Sequence, residues 1–471
     1  MNIEPPTPSS QPPQPHPCAA FLADALGKLL SQLSTALGDF DGVGQDLGHL
    51  EESLKKPMAQ FQSRVLEAAA QRRADQAEPI CPRCARPLTR RQKLARSILT
   101  SQGEIELARV RGWCGKCRAW RCPADEALGV EGGHSPLVRG MAALFASKMP
   151  LAEASVALGR AAGIHLPTTT LDRVAKRAAD HALAKRGQMD GQAAQGGEAL
   201  ARQRVAAPPS TLVVMLDAWN IRERDDFGNS KALRKKGLEP KRWHWVWMGT
   251  VFGLSRRARK GDRAMITHRG YVATRGGLEE FRAQLHAEAL RHGLGQAGRV
   301  LVMGDGAAWI WNLAKDRFQG AAQRVDLYHV KEHLWAVARE LRPNDPGGAE
   351  LWVRRMKQRL KRGQAGKVVS SLEEAMAELE ATTRERVGKE AAYLKEHVER
   401  MDYHQARKRG EPAGTGAIES TCRQYQCRFK RPGQFWSKTG DEGLLCLETF
   451  WRNGRWSHLF PHTKNFDPSK N

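Results

Sequence analysis

The sequence predicts an α/β fold in its C-terminal half, preceded by a small metal-stapled β module and a helical region. Three observations carry this. From residue 211 onward, apolar runs of strand length alternate with stretches of helical spacing. Upstream, two CxxC pairs stand 29 residues apart, and the segment between them and residue 211 is patterned as helices. A length of 471 residues leaves room for two to four domains, and 41% hydrophobic content is enough to build real cores. Lys+Arg number 75 against 51 Asp+Glu, a formal charge of +24 that favours a polyanionic partner, although basic membrane-surface proteins share such an excess. No stretch approaches the ~18 apolar residues of a membrane span. The first residues lack the basic region and apolar core of a secretory signal. Nine cysteines, four of them in the CxxC pairs, point to metal rather than disulfides and to a cytoplasmic location.

In chain order, residues 1–17 hold seven prolines and read as a disordered tail. Residues 18–75 carry helical spacing, as at Phe21, Leu22, Leu26, Leu29, Leu30 and Leu33, and are expected to form a helical segment that self-associates or serves as a spacer. Cys81-Pro-Arg-Cys84 and Cys114-Gly-Lys-Cys117 each make a knuckle that aims two thiolates at one point. Two knuckles give a tetrahedral four-sulfur Zn²⁺ site with no open position, so residues 76–125 read as a zinc ribbon with a structural metal. Strand pattern is expected between Ile98 and Val110 with a turn at Gly103, and Cys122 is a spare thiol. Residues 137–187 read as helices: Leu151 to Ala162, a break over Gly163 to Pro167, then Thr168 to Leu183 bearing Arg173, Lys176 and Arg177. That is the outline of a DNA-binding helix-turn-helix, and equally of any helical hairpin. Residues 188–210, rich in Gly, Gln and Ala, read as a linker.

The remaining chain, 211–460, reads as strand 212–216, strand 243–251, strand 270–274, helix 278–290, strand 300–303, a helix from Ala307, and strand 324–327. Three strands in hairpin succession, then helix, strand, helix and strand, is the order of an RNase H-like core, here with a helical insertion at 334–410. Such a core transfers phosphoryl groups with carboxylates that hold two divalent ions, Mg²⁺ or Mn²⁺. Asp217 stands where the first apolar run ends. Asp305 lies between Gly304 and Gly306, where the backbone is free to turn and the acid projects from the carboxyl edge of the sheet. The competing reading of Asp305 is an acid that caps the next helix. Glu419, in Gly416-Ala417-Ile418-Glu419-Ser420, sits on a helix after the insertion.

GDGAAWIW, VDLYHVKEHLW (325–335), GAIES, CRFKRPGQFWS and LETFWRNGRW follow one another in this order. On these motifs the stretch from 210 to 460 resembles the transposases of the ISKra group of bacterial insertion sequences, DDE enzymes related to the Mutator-like superfamily. The resemblance implies that Asp217, Asp305 and Glu419 form the metal-holding catalytic triad. Asp217 departs from the pattern, since Ala-Trp follows it where a glycine is more usual, and Asp225 and Asp226 are substitutes if the register differs. The resemblance also matches Asp326 and His329 to the acid-x-x-His signature of that superfamily. A capping role for Asp326 and a core hydrogen bond for His329 stay open, as does a transition-metal role for His333 one helical turn on.

Basic residues cluster at 231–242 (six, with one acid), 256–263 (five, with one) and 354–367 (seven, with none). The last, including Arg354, Arg355, Lys357 and Arg359, is expected to track a DNA backbone. Arg423, Arg428, Lys430 and Arg431 follow Glu419 and are expected at phosphates near the cleavage point. Trp436 is expected in the core in preference to stacking on an unpaired base, and Trp309 and Trp311 are expected to be structural. The function expected is a DDE transposase that binds element ends and target as double-stranded DNA, works as a homo-oligomer, and cuts and joins strands. The alternatives are an RNase H-like nuclease without strand transfer and a zinc-containing DNA-binding regulator.

Overall fold

A computed structural model describes residues 19–38, 46–197, 208–224, 230–238, 242–255 and 264–463. The Pro-rich tail, the basic cluster at 256–263 and the alternative acids Asp225 and Asp226 lie outside the described residues. The chain divides into two compact units, residues 1–145 with 151–171, and residues 146–150 with 172–471. No helix among the described residues is long and apolar enough to cross a membrane.

The first unit opens with helices α1 (Ala19–Gly38) and α2 (Leu47–Asp75), the latter capped by the Asp46 carboxylate on the His49 amide at 3.1 Å. A three-stranded antiparallel sheet follows, in the order β1 (Thr89–Thr100), β2 (Gly103–Cys114), β3 (Ala119–Arg121). A two-residue turn joins β1 to β2, and Gly103 completes it at φ 113°, a backbone that L side chains rarely adopt. Both strands run well beyond the expected 98–110. Since β3 pairs only with residues 112–114, the rest of β2 has an open edge. Helix α2 closes that edge with side chains. Gln71 accepts from the Ala108 amide and donates to its carbonyl at 2.9 and 2.8 Å, and Glu67 accepts from the Glu106 amide at 3.0 Å. Helices α3 (Pro123–Ala127), α4 (Pro136–Lys148) and α5 (Leu151–Ala162) come next, then a break at Gly163 (φ 64°) and α6 (Thr168–Gln195).

Helix α6 continues past the expected Leu183 to Gln195 and takes up the start of the expected linker. Two glycines weaken this stretch as helix, but tertiary anchors outweigh them. Arg186 pairs with Glu280 at 2.9 Å and Glu442 at 2.7 Å, and Arg291 donates to the Met189 carbonyl at 3.1 Å.

The second unit is built on a five-stranded mixed sheet. Its strands are β4 (Thr211–Arg222), β5 (Trp243–Ser255), β6 (Met265–Thr274), β7 (Val300–Gly304) and β8 (Ala322–Val325), with α7 (Ser230–Lys235) between β4 and β5. The spatial order is β6-β5-β4-β7-β8, with β4, β5 and β6 antiparallel and β7 and β8 parallel to β4. Central strands buried on both faces need unbroken apolar runs, which is what Leu212 to Leu216 and Val300 to Met303 supply. Even-numbered residues of β4 such as Leu212 and Val214 face α8 (Leu278–Arg291), α9 (Ala308–Arg317) and α10 (Leu327–Leu341). Odd-numbered ones such as Val213 and Met215 face α15 (Gly416–Phe429) and α16 (Lys438–Arg452). Between α10 and α15 the insertion forms α11 (Pro346–Lys361), α12 (Ala365–Ala377), α13 (Ala381–Glu396) and α14 (Tyr403–Arg409).

Candidate active site

Asp217 does not end its strand. Strand β4 continues to Arg222 because β5 pairs with it along its whole length, from Thr211 opposite Leu254 to Arg222 opposite Trp243. On the other side, however, β7 pairs only as far as Met215 opposite Met303. Two residues later Asp217 stands at a free edge, on the face that carries α15. Asp305 follows Gly304, the last residue of β7, and so rises beside the same edge. Its Oδ1 accepts from the Ala307 amide at 2.9 Å, while the N-cap of α9 is Ala307, so the acid shapes the turn rather than capping the helix directly.

Glu419 arrives from the first turn of α15, where Thr415 Oγ1 donates to its Oε1 at 2.9 Å. The three acids are half-buried, and among the described residues none makes an ion pair with Lys or Arg. Their mutual reach shows in Asp217. Burial raises its pKa, and the charges of Asp305 and Glu419 raise it further, against the Cys422 thiol and the Ala218 amide that donate to it. Oxygen donors in unbalanced negative surroundings suit a hard divalent cation such as Mg²⁺. The acids are not at close-ligand spacing from one another: among the described residues, the set whose ligand atoms all lie within 4.8 Å is the four cysteines.

A second layer sets these acids. Asp326, fully buried, is the N-cap of α10; its Oδ2 accepts from the His329 amide at 3.1 Å and from the His329 ring at 2.9 Å. Its Oδ1 accepts from the Thr415 amide at 2.9 Å, so one carboxylate ties α10 to the residue that holds Glu419. Gly414 makes this approach possible, since a Cβ there would lie 2.9 Å from Asp326 Oδ1. Arg324, at the end of β8, reinforces the junction through a buried pair with Glu411 at 2.8 Å and a bond to the Pro412 carbonyl at 3.0 Å. The hydrogen bond from Asp326, ahead of burial, raises the His329 pKa to about 9, with Asp305 adding to it, so the ring is cationic at neutral pH.

The insertion also reaches the site. Tyr393 on α13 donates its hydroxyl to the Asp305 carbonyl at 2.5 Å. Gly306 has φ 111° and no room for a Cβ, which would meet that hydroxyl at 2.5 Å. His333 bonds Glu390 and stacks on Tyr393 with ring centroids 3.7 Å apart, which gives it a packing role beside the turn. Sequence reasoning missed Tyr393, Thr415 and Cys422. Only Cys422 left a local signal, three residues after Glu419 on one helix face.

At the other candidate metal centre, Cys81, Cys84, Cys114 and Cys117 bring their sulfurs within 4.8 Å of one another. Sulfur separations of 3.9 Å (Cys81–Cys117) and 3.5 Å (Cys84–Cys114) exceed a disulfide and bracket the edge of about 3.8 Å of a tetrahedron with zinc–sulfur bonds of ~2.3 Å. The Cys117 amide donates to Cys114 Sγ at 3.4 Å and lowers that thiol's pKa, favouring a thiolate there, while the bond to Cys84 and burial push Cys117 up. Cys122 stands apart as the N-cap of α3.

The expected DNA-contacting residues divide. Arg423, Lys430 and Arg431 are exposed on and after α15. Arg428 is only 6% exposed: Nε and Nη2 donate to the Ala146 carbonyl at 3.2 and 3.0 Å, and the guanidinium lies 4.8 Å over Trp436. It is a packing residue, which corrects its assignment to phosphate. On α11, Arg354 and Arg355 are exposed and Lys357 is half-buried, whereas Arg359 is engaged with Ser371 and the Lys367 carbonyl. Trp436 is buried and donates to the Phe429 carbonyl at 2.8 Å. Trp309 packs on Trp247 at 4.9 Å, and Trp311 is buried.

No curated protein matches this sequence. Residues 257–458 match the model of an uncharacterised protein family (UPF0236), a stretch that holds Asp305, Asp326, His329 and Glu419 but neither Asp217 nor the four cysteines.

Proposed function

We propose that this protein is a DDE transposase with an RNase H-like core, which binds the ends of an insertion sequence and cuts and joins DNA. The observation that carries the reading is the convergence of Asp217, Asp305 and Glu419, from β4, β7 and α15, at one edge of a sheet ordered β6-β5-β4-β7-β8. That order, with three antiparallel strands and two parallel ones, is the strand order of an RNase H-like core. Support also comes from the excess of cations and from the exposed arginines and lysines on α11 and after Glu419. A nucleoid-associated location in the cytoplasm and a homo-oligomer that pairs two DNA ends follow from the same reading.

Asp217, Asp305 and Glu419 would hold divalent ions, which supply activation of the attacking oxygen and stabilisation of the leaving one. The Ala307 amide and Tyr393 fix the Asp305 turn, and Thr415 holds Glu419, which leaves the ions to draw the three acids together. The cationic His329 offers a charge to a phosphate beside them. The test is strand transfer by purified protein with Mg²⁺ or Mn²⁺ on its gene's flanking DNA, comparing wild type with Asp305→Asn. Joined products from wild type and at least a ~10²-fold loss in the variant are expected. Cleavage without joining would reassign the protein as a nuclease. DNA binding without either reaction would leave a zinc-containing regulator.

A further inference from the structure

The zinc-ribbon sheet carries a cationic cleft of its own. Between Thr89 and Arg121 there are nine basic residues and two acids, and both acids, Glu104 and Glu106, sit at the turn end of the β1–β2 hairpin. The half beside the cysteines is therefore uniformly basic. There Arg96, Arg109, Arg111 and Arg121 line a cleft of about 440 Å³ together with Trp120 and two acids, Asp125 and Glu126.

The arginines have different standing. Arg109, 7% exposed, pairs with Asp125 at 2.7 Å, and Arg96 reaches the same carboxylate at 3.4 Å, so one acid fixes two guanidiniums in the wall. Arg111 and Arg121 have no carboxylate partner among the described residues. The guanidinium carbon of Arg111 sits 4.8 Å from the Trp120 ring centroid, a cation–π contact that restrains the exposed side chain. The Nε of Arg121 is shut off from solvent with no acceptor, an orphaned donor in the lining of the cleft. Four guanidiniums against two carboxylates, with Arg111 and Arg121 in no ion pair among the described residues, match an anion with several acceptor oxygens. Given a chain with a formal charge of +24, the fitting source is a polymer of phosphates.

We propose that this cleft is a phosphodiester-binding site through which the zinc ribbon grips duplex DNA, with Arg111 and Arg121 as the phosphate contacts. The proposal rests on the transposase reading, and assigns to the ribbon a share of DNA binding that the acids do not supply.

Full-length wild type, Arg111→Ala, Arg121→Ala and the double variant are titrated with a duplex of the flanking DNA over a range of salt concentration, with bound zinc measured in each. Each alanine lowers the slope of log affinity against log salt by about 1, and zinc content stays at wild-type level. An unchanged slope in the double variant with zinc retained overturns the proposal, while the transposase reading stands if that variant still cuts and joins. No DNA binding by wild type overturns both. Should the variants lose zinc, modification of wild-type arginines by a dicarbonyl reagent, read by peptide mass, replaces them. Protection of Arg111 and Arg121 by duplex DNA is expected; equal labelling with and without DNA, or equal protection by polyglutamate, overturns the assignment.

Discussion

Asp326 is the residue on which the most hydrogen bonds around the acids turn, and it touches no expected metal position. It accepts from His329 twice and from Thr415, whose hydroxyl holds Glu419 at 2.9 Å. If the acids hold Mg²⁺ for strand transfer as proposed, Thr415→Val, which keeps the shape and removes that hydroxyl, lowers the activity by about 10- to 100-fold and moves its metal dependence to higher Mg²⁺, while Thr415→Ser restores most of it. His329 gives a stability prediction. Asp326 raises its pKa from 6.5 to about 9, so the folded chain holds a proton that the unfolded chain has released. The stabilisation is complete below pH 6.5 and disappears as pH climbs through 9. Melting temperatures of wild type and His329→Gln should differ most at pH 6 and converge by pH 10; a constant gap would remove the ion pair from the explanation. The Gly-Asp-Gly at 304–306 was legible because glycine there has a backbone reason, now visible as the Tyr393 hydroxyl over Gly306. Tyr393 itself was not, since nothing near residue 393 records that its partner lies 88 residues away.

Elements were read well where one local pattern decides them. The β4 and β7 runs, α5, and the paired cysteines all depend on spacing within a few residues. Failures came where a distant partner sets the boundary. Strand β4 outruns its apolar stretch because β5 pairs to its end, and α6 outruns its periodicity because Arg186 and Arg291 anchor its last turns. Arg428 was misplaced for the same reason, because its acceptor at Ala146 and the Trp436 ring are tertiary. Ion pairs at element ends carry stability of their own. Glu288 on α8 is buried, which disfavours its charge, yet Arg455 holds it with two bonds of 2.7 Å and, with His292, keeps its pKa far below the usual carboxylate range. Arg455→Met leaves that carboxylate to Arg291 and His292 alone, and a loss of about 1.5–3 kcal/mol in urea unfolding is expected.

For the whole molecule, the two units invite separate perturbation. If the four cysteines hold zinc, a chelator should unfold the knuckle end of the ribbon, where they and Leu88 form a small cluster apart from the α2 contacts. Circular dichroism should then lose part of its signal, and the thermal transition of the five-stranded sheet should persist. Simultaneous loss of both would mean that the units fold as one. The chain order of the five strands could be read from the succession of apolar runs, whereas the division of the chain at 145–151 and 171 could not, since it interrupts continuous helices.

The tyrosine over the Asp305 turn has a consequence for how such a chain is made. Asp305 leaves the ribosome 88 residues before the hydroxyl that locks its turn, and the helices of the insertion must first come together to present that hydroxyl. Until then the sheet edge holds acids without an aimed constellation. On the transposase reading, a half-made chain, which lacks both this lock and Glu419, would be kept from cutting DNA until the fold is finished.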